Sequence, residues 1–141
     1  MTPLASILLV DDDPIDVEFA LLALEARGLH ERVSVARDGQ DALDFLRREG
    51  RHARRPPELP RLVLLDVNMP RVDGWQVLDS IKSTPAWRSV CVVMLTTSTR
   101  PEDRARCAAA DAFLVKPLDV ERFVELLGDL VKRLLKTGCR S

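Results

Sequence analysis

The sequence predicts an α/β domain, a doubly wound five-stranded parallel sheet with helices on both faces. Three observations predict it. Apolar runs of strand length alternate with stretches of helical period along the chain. Several of these runs, LVLL and VCVVML among them, are apolar at every position, as strands covered on both faces require. The alternation recurs five times, the pattern of βα units rather than of a sandwich or a helical bundle. A chain of 141 residues fits one compact domain, expected over residues 1–141 with its core in 6–136. At this length it buries roughly 68 to 70% of its unfolded surface, so neither disulfides nor metal are needed to hold it together.

Ile7–Val10 reads as the first strand, and Ile15, Phe19, Leu22 and Leu24 mark the helix after it. Asp13 before Pro14 suits the N-cap and first turn of that helix. A second strand covers 32–36, followed by a helix over 39–48 with Ala42, Phe45 and Leu46 on one face. The third strand is 62–65, and the helix over 74–82 turns Trp75, Leu78 and Ile81 inward. A fourth strand covers 90–95. Thr99 with Glu102 fits a capping box for a helix over 101–109. Ala112–Val115 is the fifth strand, and the last helix, 120–136, carries Phe123, Leu127, Leu130 and Leu134 along one stripe. Right-handed crossovers leave few topologies, of which the flavodoxin-like order 2-1-3-4-5 is the commonest for five units. The longest connection, REGRHARRPPELPR over 48–61, precedes a strand and reads as a solvated connector away from the strands' carboxyl ends, where ligands bind.

Lys plus Arg number 21 against 22 Asp plus Glu, a formal net charge of −1, which gives no general field for nucleic acid. No run approaches the roughly 20 apolar residues that span a bilayer. MTPLASILLVDDD lacks a basic n-region, so no secretory signal is expected and the cytoplasm is the expected compartment. Cys91, Cys107 and Cys139 have no C-x-x-C spacing and are expected as reduced thiols. With only His30 and His52, a His-rich metal site is excluded.

Polar groups that a core would not ask for close four of the strands: Asp11, Asp12 and Asp13 after the first, Asp66 after the third, Thr96 to Thr99 after the fourth, and Lys116 after the fifth. In the order 2-1-3-4-5 these strands are successive neighbours, so the groups converge on one mouth. Two carboxylates about 4 Å apart repel by roughly 4 kcal/mol at an effective dielectric near 20. Asp11, Asp12 and Asp66 therefore call for a cation. Hard oxygen donors without His or Cys select Mg²⁺, or Mn²⁺, over zinc, and Mg²⁺ binds phosphate oxygens. No helix starts directly after Asp66 for it to cap, and Pro117 biases Lys116 toward extended structure.

These residues resemble a known family, the receiver domains of two-component response regulators, through ILLVDDDP, ARDGQDALDFL, LLDVNMPRVDGWQVL, MLTTS and FLVKP. The resemblance runs from Ile7 to about residue 136. It implies Asp66 as the phosphoacceptor, Asp12 and Asp66 as direct Mg²⁺ ligands with the Asn68 backbone carbonyl, and Asp11 acting through water. It implies Thr96 and Lys116 as the groups on the phosphoryl oxygens, Thr96 and Phe113 as switch residues, and a cis peptide between Lys116 and Pro117. The donor is then a phosphohistidine on a sensor histidine kinase, and no nucleotide-binding loop of Walker type occurs here. The domain is expected to be a phosphoacceptor rather than an enzyme. The output surface implied is the fourth helix, fifth strand and fifth helix.

Two departures stand out: a branched Thr97 where the family usually has Ala or Gly, and a short stretch from Thr96 to Lys116 that abbreviates the fourth helix. With the long connector and the TTS motif, they make the chain similar to small single-domain regulators of bacterial phytochrome-type histidine kinases. TGCRS after Lys136 leaves no room for an output domain, so output is expected through another, unknown protein. Val120, Val124, Leu126, Val131 and Leu135 beside the core stripe suggest a homodimer through the last helix. A phosphatase of the haloacid dehalogenase type wants a second Asp where Asn68 stands, and an EF-hand loop lacks its turn glycine.

Overall fold

The computed structural model describes residues 6–69 and 72–138. Its elements alternate as read from the sequence: β1 Ile7–Val10, α1 Pro14–Glu25, β2 Val33–Ala36, α2 Gly39–Arg47, β3 Leu62–Asp66, α3 Gly74–Ser83, β4 Cys91–Thr96, α4 Pro101–Cys107, β5 Ala112–Val115 and α5 Val120–Thr137. The strands form one sheet in the order β2-β1-β3-β4-β5, each adjacent pair parallel.

The apolar strands divide their side chains between two cores because successive residues point to opposite faces. Leu8, Val10, Val63, Leu65, Val92 and Met94 pack with Ala42, Phe45, Trp75, Leu78, Ile81 and Cys107, from α2, α3 and α4. Ile7, Leu9, Leu62, Leu64, Val93 and Leu95 pack with Val17, Ala20, Leu24, Phe123, Leu127 and Val131, from α1 and α5. Leu64 is fully enclosed, and truncating such a leucine to alanine costs about 2 to 5 kcal/mol.

The fold settles the buried face of α1, which the sequence left open, and several local expectations need correction. The α1 residues Ile15 and Leu22 are 60% and 52% exposed, whereas Val17, Ala20, Ala23 and Leu24 form the buried face. Apolar residues circle this helix, so period alone did not choose a face. Small residues did: Ala23 and Gly128 let α1 and α5 cross so closely that a Cβ on Gly128 would lie 3.3 Å from the Ala23 carbonyl oxygen. On α5, Val131 is enclosed and Val124, Leu130 and Leu135 pack against the core, leaving Val120 exposed.

The α4 N-terminus does not use Thr99. The N-cap is Arg100, with no capping side chain, and the turn is ordered by Ser98, whose Oγ accepts from the Arg100 N–H at 3.1 Å and donates to Asp103 at 2.6 Å. The abbreviated α4, seven residues long, is as the short stretch implied.

The connector after α2 is packed rather than merely solvated. Arg55 stacks its guanidinium 4.1 Å from the Phe45 ring centroid and donates to the carbonyls of Phe45 and Glu58. Pro60 is buried and Leu59 reaches the core. Finally, Cys91 is disulfide-bonded and Cys107 is a buried free thiol, so three reduced thiols is wrong. Proximity in the fold, not spacing in the chain, decides pairing; Cys139 lies outside the described residues.

Candidate functional site

Parallel pairing carries the strand ends to one rim. Val10 lies opposite Leu65, which sets Asp11 level with Asp66, and Thr96 opposite Val115 brings Lys116 to the same end. Backbone bonds hold the ends beyond the ladder: Asp11 N–H to Ala36 O at 3.1 Å, Val67 N–H to Leu95 O at 3.1 Å and Lys116 N–H to Thr96 O at 2.7 Å. The turn after β3 is braced from behind. Gly74, the first residue of α3, donates its N–H to Val67 O at 3.0 Å, and a Cβ there would lie 2.3 Å from the Asp66 carbonyl oxygen. Only glycine permits that approach.

Asp11 and Asp66 are buried at 2% and 7% exposure, and Asp12 is exposed. Their carboxylate oxygens lie within 4.8 Å of one another. Lys116 Nζ donates to Asp66 Oδ1 at 3.2 Å, Asp16 Oδ2 at 3.3 Å and Asp11 Oδ2 at 3.5 Å. Asp16, in the first turn of α1, is thus a fourth carboxylate of the site that sequence reasoning missed. On a helix it reads as an acid in the first turn, where the helix dipole favours it, and only the fold reveals the lysine beside it.

One ammonium for four carboxylates leaves negative charge uncompensated. Burial pushes the Asp66 carboxyl up to about 6, Lys116 opposing and Asp11 and Asp12 adding to the rise. Burial likewise raises Asp11 against the pull of the Asp13 N–H and Lys116. Burial alone would lower the Lys116 ammonium, but the carboxylates of Asp66, Asp11 and Asp16 outweigh it and the pKa is raised. The lysine is therefore a fixed cation. A set of hard oxygens this close, short of positive charge, suits a divalent ion of the Mg²⁺ or Mn²⁺ type.

Thr96 is buried, and its Oγ1 accepts from the Ser98 N–H at 3.0 Å. With Asn68, Trp75, Ser98, Arg100 and Arg106 it lines a cavity of about 490 Å³ adjoining the acidic cluster. Asn68, exposed, also lines a hollow of about 370 Å³ with Asp12 and Met69. Thus Asp11, Asp12, Asp66 and Lys116 are brought into one cluster, while Asn68 and Thr96 stand at its open side. Phe113 is 38% exposed on β5, with the Arg104 guanidinium 5.9 Å from its ring centroid. The peptide between Lys116 and Pro117 is trans, as are all peptides among the described residues, so the expected cis bond is not formed. The difference between isomers before proline is only about 0.5 to 1 kcal/mol, within reach of local packing. Another cavity, of about 840 Å³, lies at the opposite end of the sheet. It has no part in this cluster.

Comparison with known proteins agrees with the geometry. The family model for the response regulator receiver domain matches residues 7–128. The probable methanogenesis regulatory protein FilR2 of Methanothrix harundinacea is 42% identical over 124 residues, covering 84% of this chain and 78% of that protein. Among solved structures, the bacteriophytochrome response regulator RtBRR matches with a TM-score of 0.78 at 42% identity, over 91% of this chain and 78% of that one. The Mn²⁺-bound form of response regulator Rcp1 matches with a TM-score of 0.86 at 29% identity, over 95% of this chain and 96% of that one. The similarity to regulators associated with phytochromes, of which RtBRR is one, is therefore found in structure as well as in motif. No helix among the described residues is long and apolar enough to cross a membrane.

Proposed function

The chain belongs to the response regulator receiver family, phosphoacceptor modules of two-component signalling that are served by histidine kinases, and from that premise we propose that Asp66 is the residue phosphorylated here. The observation that carries this reading is the placement of Asp66 at the end of β3, 3.2 Å from Lys116 and within 4.8 Å of Asp11 and Asp12. An Asp66 carboxylate oxygen attacks the phosphorus of a kinase phosphohistidine, the P–N bond breaks, and the imidazole leaves. Carboxylates are weak nucleophiles, but phosphoryl transfer depends mainly on position and charge neutralisation. Asp12, Asp66 and the Asn68 backbone carbonyl would hold Mg²⁺ directly, with Asp11 behind a water. When bound, that ion neutralises charge on the transferring phosphoryl group. Lys116 holds a positive charge against the phosphoryl oxygens, and Thr96 offers its hydroxyl once released from the Ser98 N–H. That release draws the loop after β4 inward and makes room for Phe113 to turn from solvent.

Moving a two-state domain from 1:99 to 99:1 takes about 5.5 kcal/mol. Hydrogen bonds to charged groups contribute roughly 1.5 to 3 kcal/mol each, so two or three suffice. The surface altered is α4, β5 and α5, read by a further protein. The receiver domain acts as a phosphoacceptor, with the cytoplasm as its proposed compartment. A phytochrome-type kinase is the donor that the neighbour RtBRR, a bacteriophytochrome response regulator, favours. The test is transfer of labelled phosphate from such a kinase or from acetyl phosphate. Wild type labels, with a red-light dependence for the phytochrome-type kinase, and Asp66→Asn does not. Undiminished labelling of the variant would place the acceptor elsewhere.

A homodimer through the α5 region belongs to the same reading. With Val131 in the core, its apolar contact falls to Val120 and Leu118, both exposed. Light scattering on a sizing column at tens of micromolar gives a dimer mass if this is right. A monomer with and without beryllofluoride rejects it.

A further inference from the structure

The 840 Å³ cavity lies at the N-terminal ends of β1, β2 and β3, across the length of the sheet from Asp66. Its walls combine two chemistries. Phe45, Pro56 and Leu59 present apolar surface, and Arg32, Arg51, Arg55 and Arg61 surround it with Glu58 as the acidic member of the lining. A volume of roughly 300 to 1,000 Å³ with an apolar lining and a few placed polar groups is the usual form of a small-molecule site.

Two of the rim's arginines, Arg51 and Arg55, are held in place before any ligand arrives. Asp41 accepts from Arg51 through both Nε and Nη2, from His52 Nε2 at 2.8 Å and from the Arg37 N–H at 3.1 Å. The His52 ring meets Phe45 edge-on at 5.1 Å between centroids. Arg55 is fixed by the Phe45 ring and two carbonyls. Arg51, although anchored, keeps a side chain that is 61% exposed, so N–H groups beyond those bound to Asp41 face outward. A guanidinium ordered in advance loses less freedom on binding than one that must be ordered by the ligand.

We propose that this cavity binds a small organic anion, a carboxylate attached to an aromatic or branched apolar body. The body seats against Phe45, Pro56 and Leu59, and the carboxylate meets Arg51 and Arg61 at the rim. The site gives the protein a second input, chemically separate from phosphorylation. Benzoate is the probe. Amide NMR titration of the full chain is expected to shift residues of β2, of the Gly50–His52 turn and of the segment around Leu59 to Arg61, with a saturable curve. Acetate, which lacks the body, and benzyl alcohol, which lacks the charge, bind at least ten-fold more weakly. Arg61→Glu, an exposed position, weakens benzoate at least ten-fold and leaves acetyl phosphate labelling of Asp66 unchanged. Arg51→Glu does the same. If its loss of the Asp41 pair disturbs the fold, the Arg61 variant alone decides. No saturable shift at 10 mM benzoate (about the weakest affinity of interest, near −3 kcal/mol), shifts gathered at the Asp66 rim, or equal binding by the Arg61 variant would overturn the proposal.

Discussion

Asp66 and Asp41 are both aspartates with cationic neighbours, yet the fold drives their carboxyl groups in opposite directions, up to about 6 and down to about 2. At the Asp66 rim, burial dominates and one lysine is divided among Asp66, Asp11 and Asp16. At Asp41 burial also pushes up, but the Arg51 and His52 side chains and the Arg37 N–H all donate to one carboxylate and outweigh it. The first arrangement is short of positive charge and open to a cation. The second is saturated and works as a fastener for the connector. Counting acids would not separate them. Counting donors per carboxylate does.

The largest effect that would break this contrast is at Asp66. Its pKa is raised, so the protonated form favours folding below the ordinary value of 3.8, and that contribution is lost as pH rises through about 6. In buffer free of divalent metal at pH 7.5, Asp66→Asn should therefore be more stable than wild type by about 3 kcal/mol at most. The gap closes below pH 4, and it shrinks when magnesium is added to the wild type. Urea unfolding with and without EDTA measures this, and a destabilised variant would contradict the charge argument.

Asp41 has the opposite sign. Its lowered pKa contributes stability above 3.8 that is lost as pH falls toward 2, so Asp41→Asn should cost about 2 kcal/mol at pH 7 and little at pH 2. Matched denaturant curves at the two pH values check it. The smallest effect sharpens the edge of the acidic mouth. Arg106 lies 4.2 Å from the Trp75 ring centroid, and Arg106→Ala should lose about 0.5 to 1 kcal/mol, read as a small fall in the urea midpoint.

How much of this was legible in the chain depends on the range of the signal. Strands such as Leu62–Asp66 announce themselves because every position is apolar until the last, and the polar groups closing successive strands locate the mouth. Asp13 caps α1 as its place before Pro14 implied, Ile15 N–H donating to it at 2.9 Å. What failed required tertiary knowledge. Asp16 belongs to the site because Lys116, a hundred residues away in sequence, reaches it. Ser98 rather than Thr99 orders the start of α4 because Asp103 is its partner. The connector looked solvated because its arginines look solvated, until Phe45 is seen beneath Arg55.

The missing side chain at Gly74 has a further meaning. The first turn of α3 rests directly on the peptide that carries Asp66, so a displacement of that peptide presses on the helix. If Asp66 takes a phosphoryl group as proposed, α3 is the lever through which the change reaches the sheet face opposite α1 and α5.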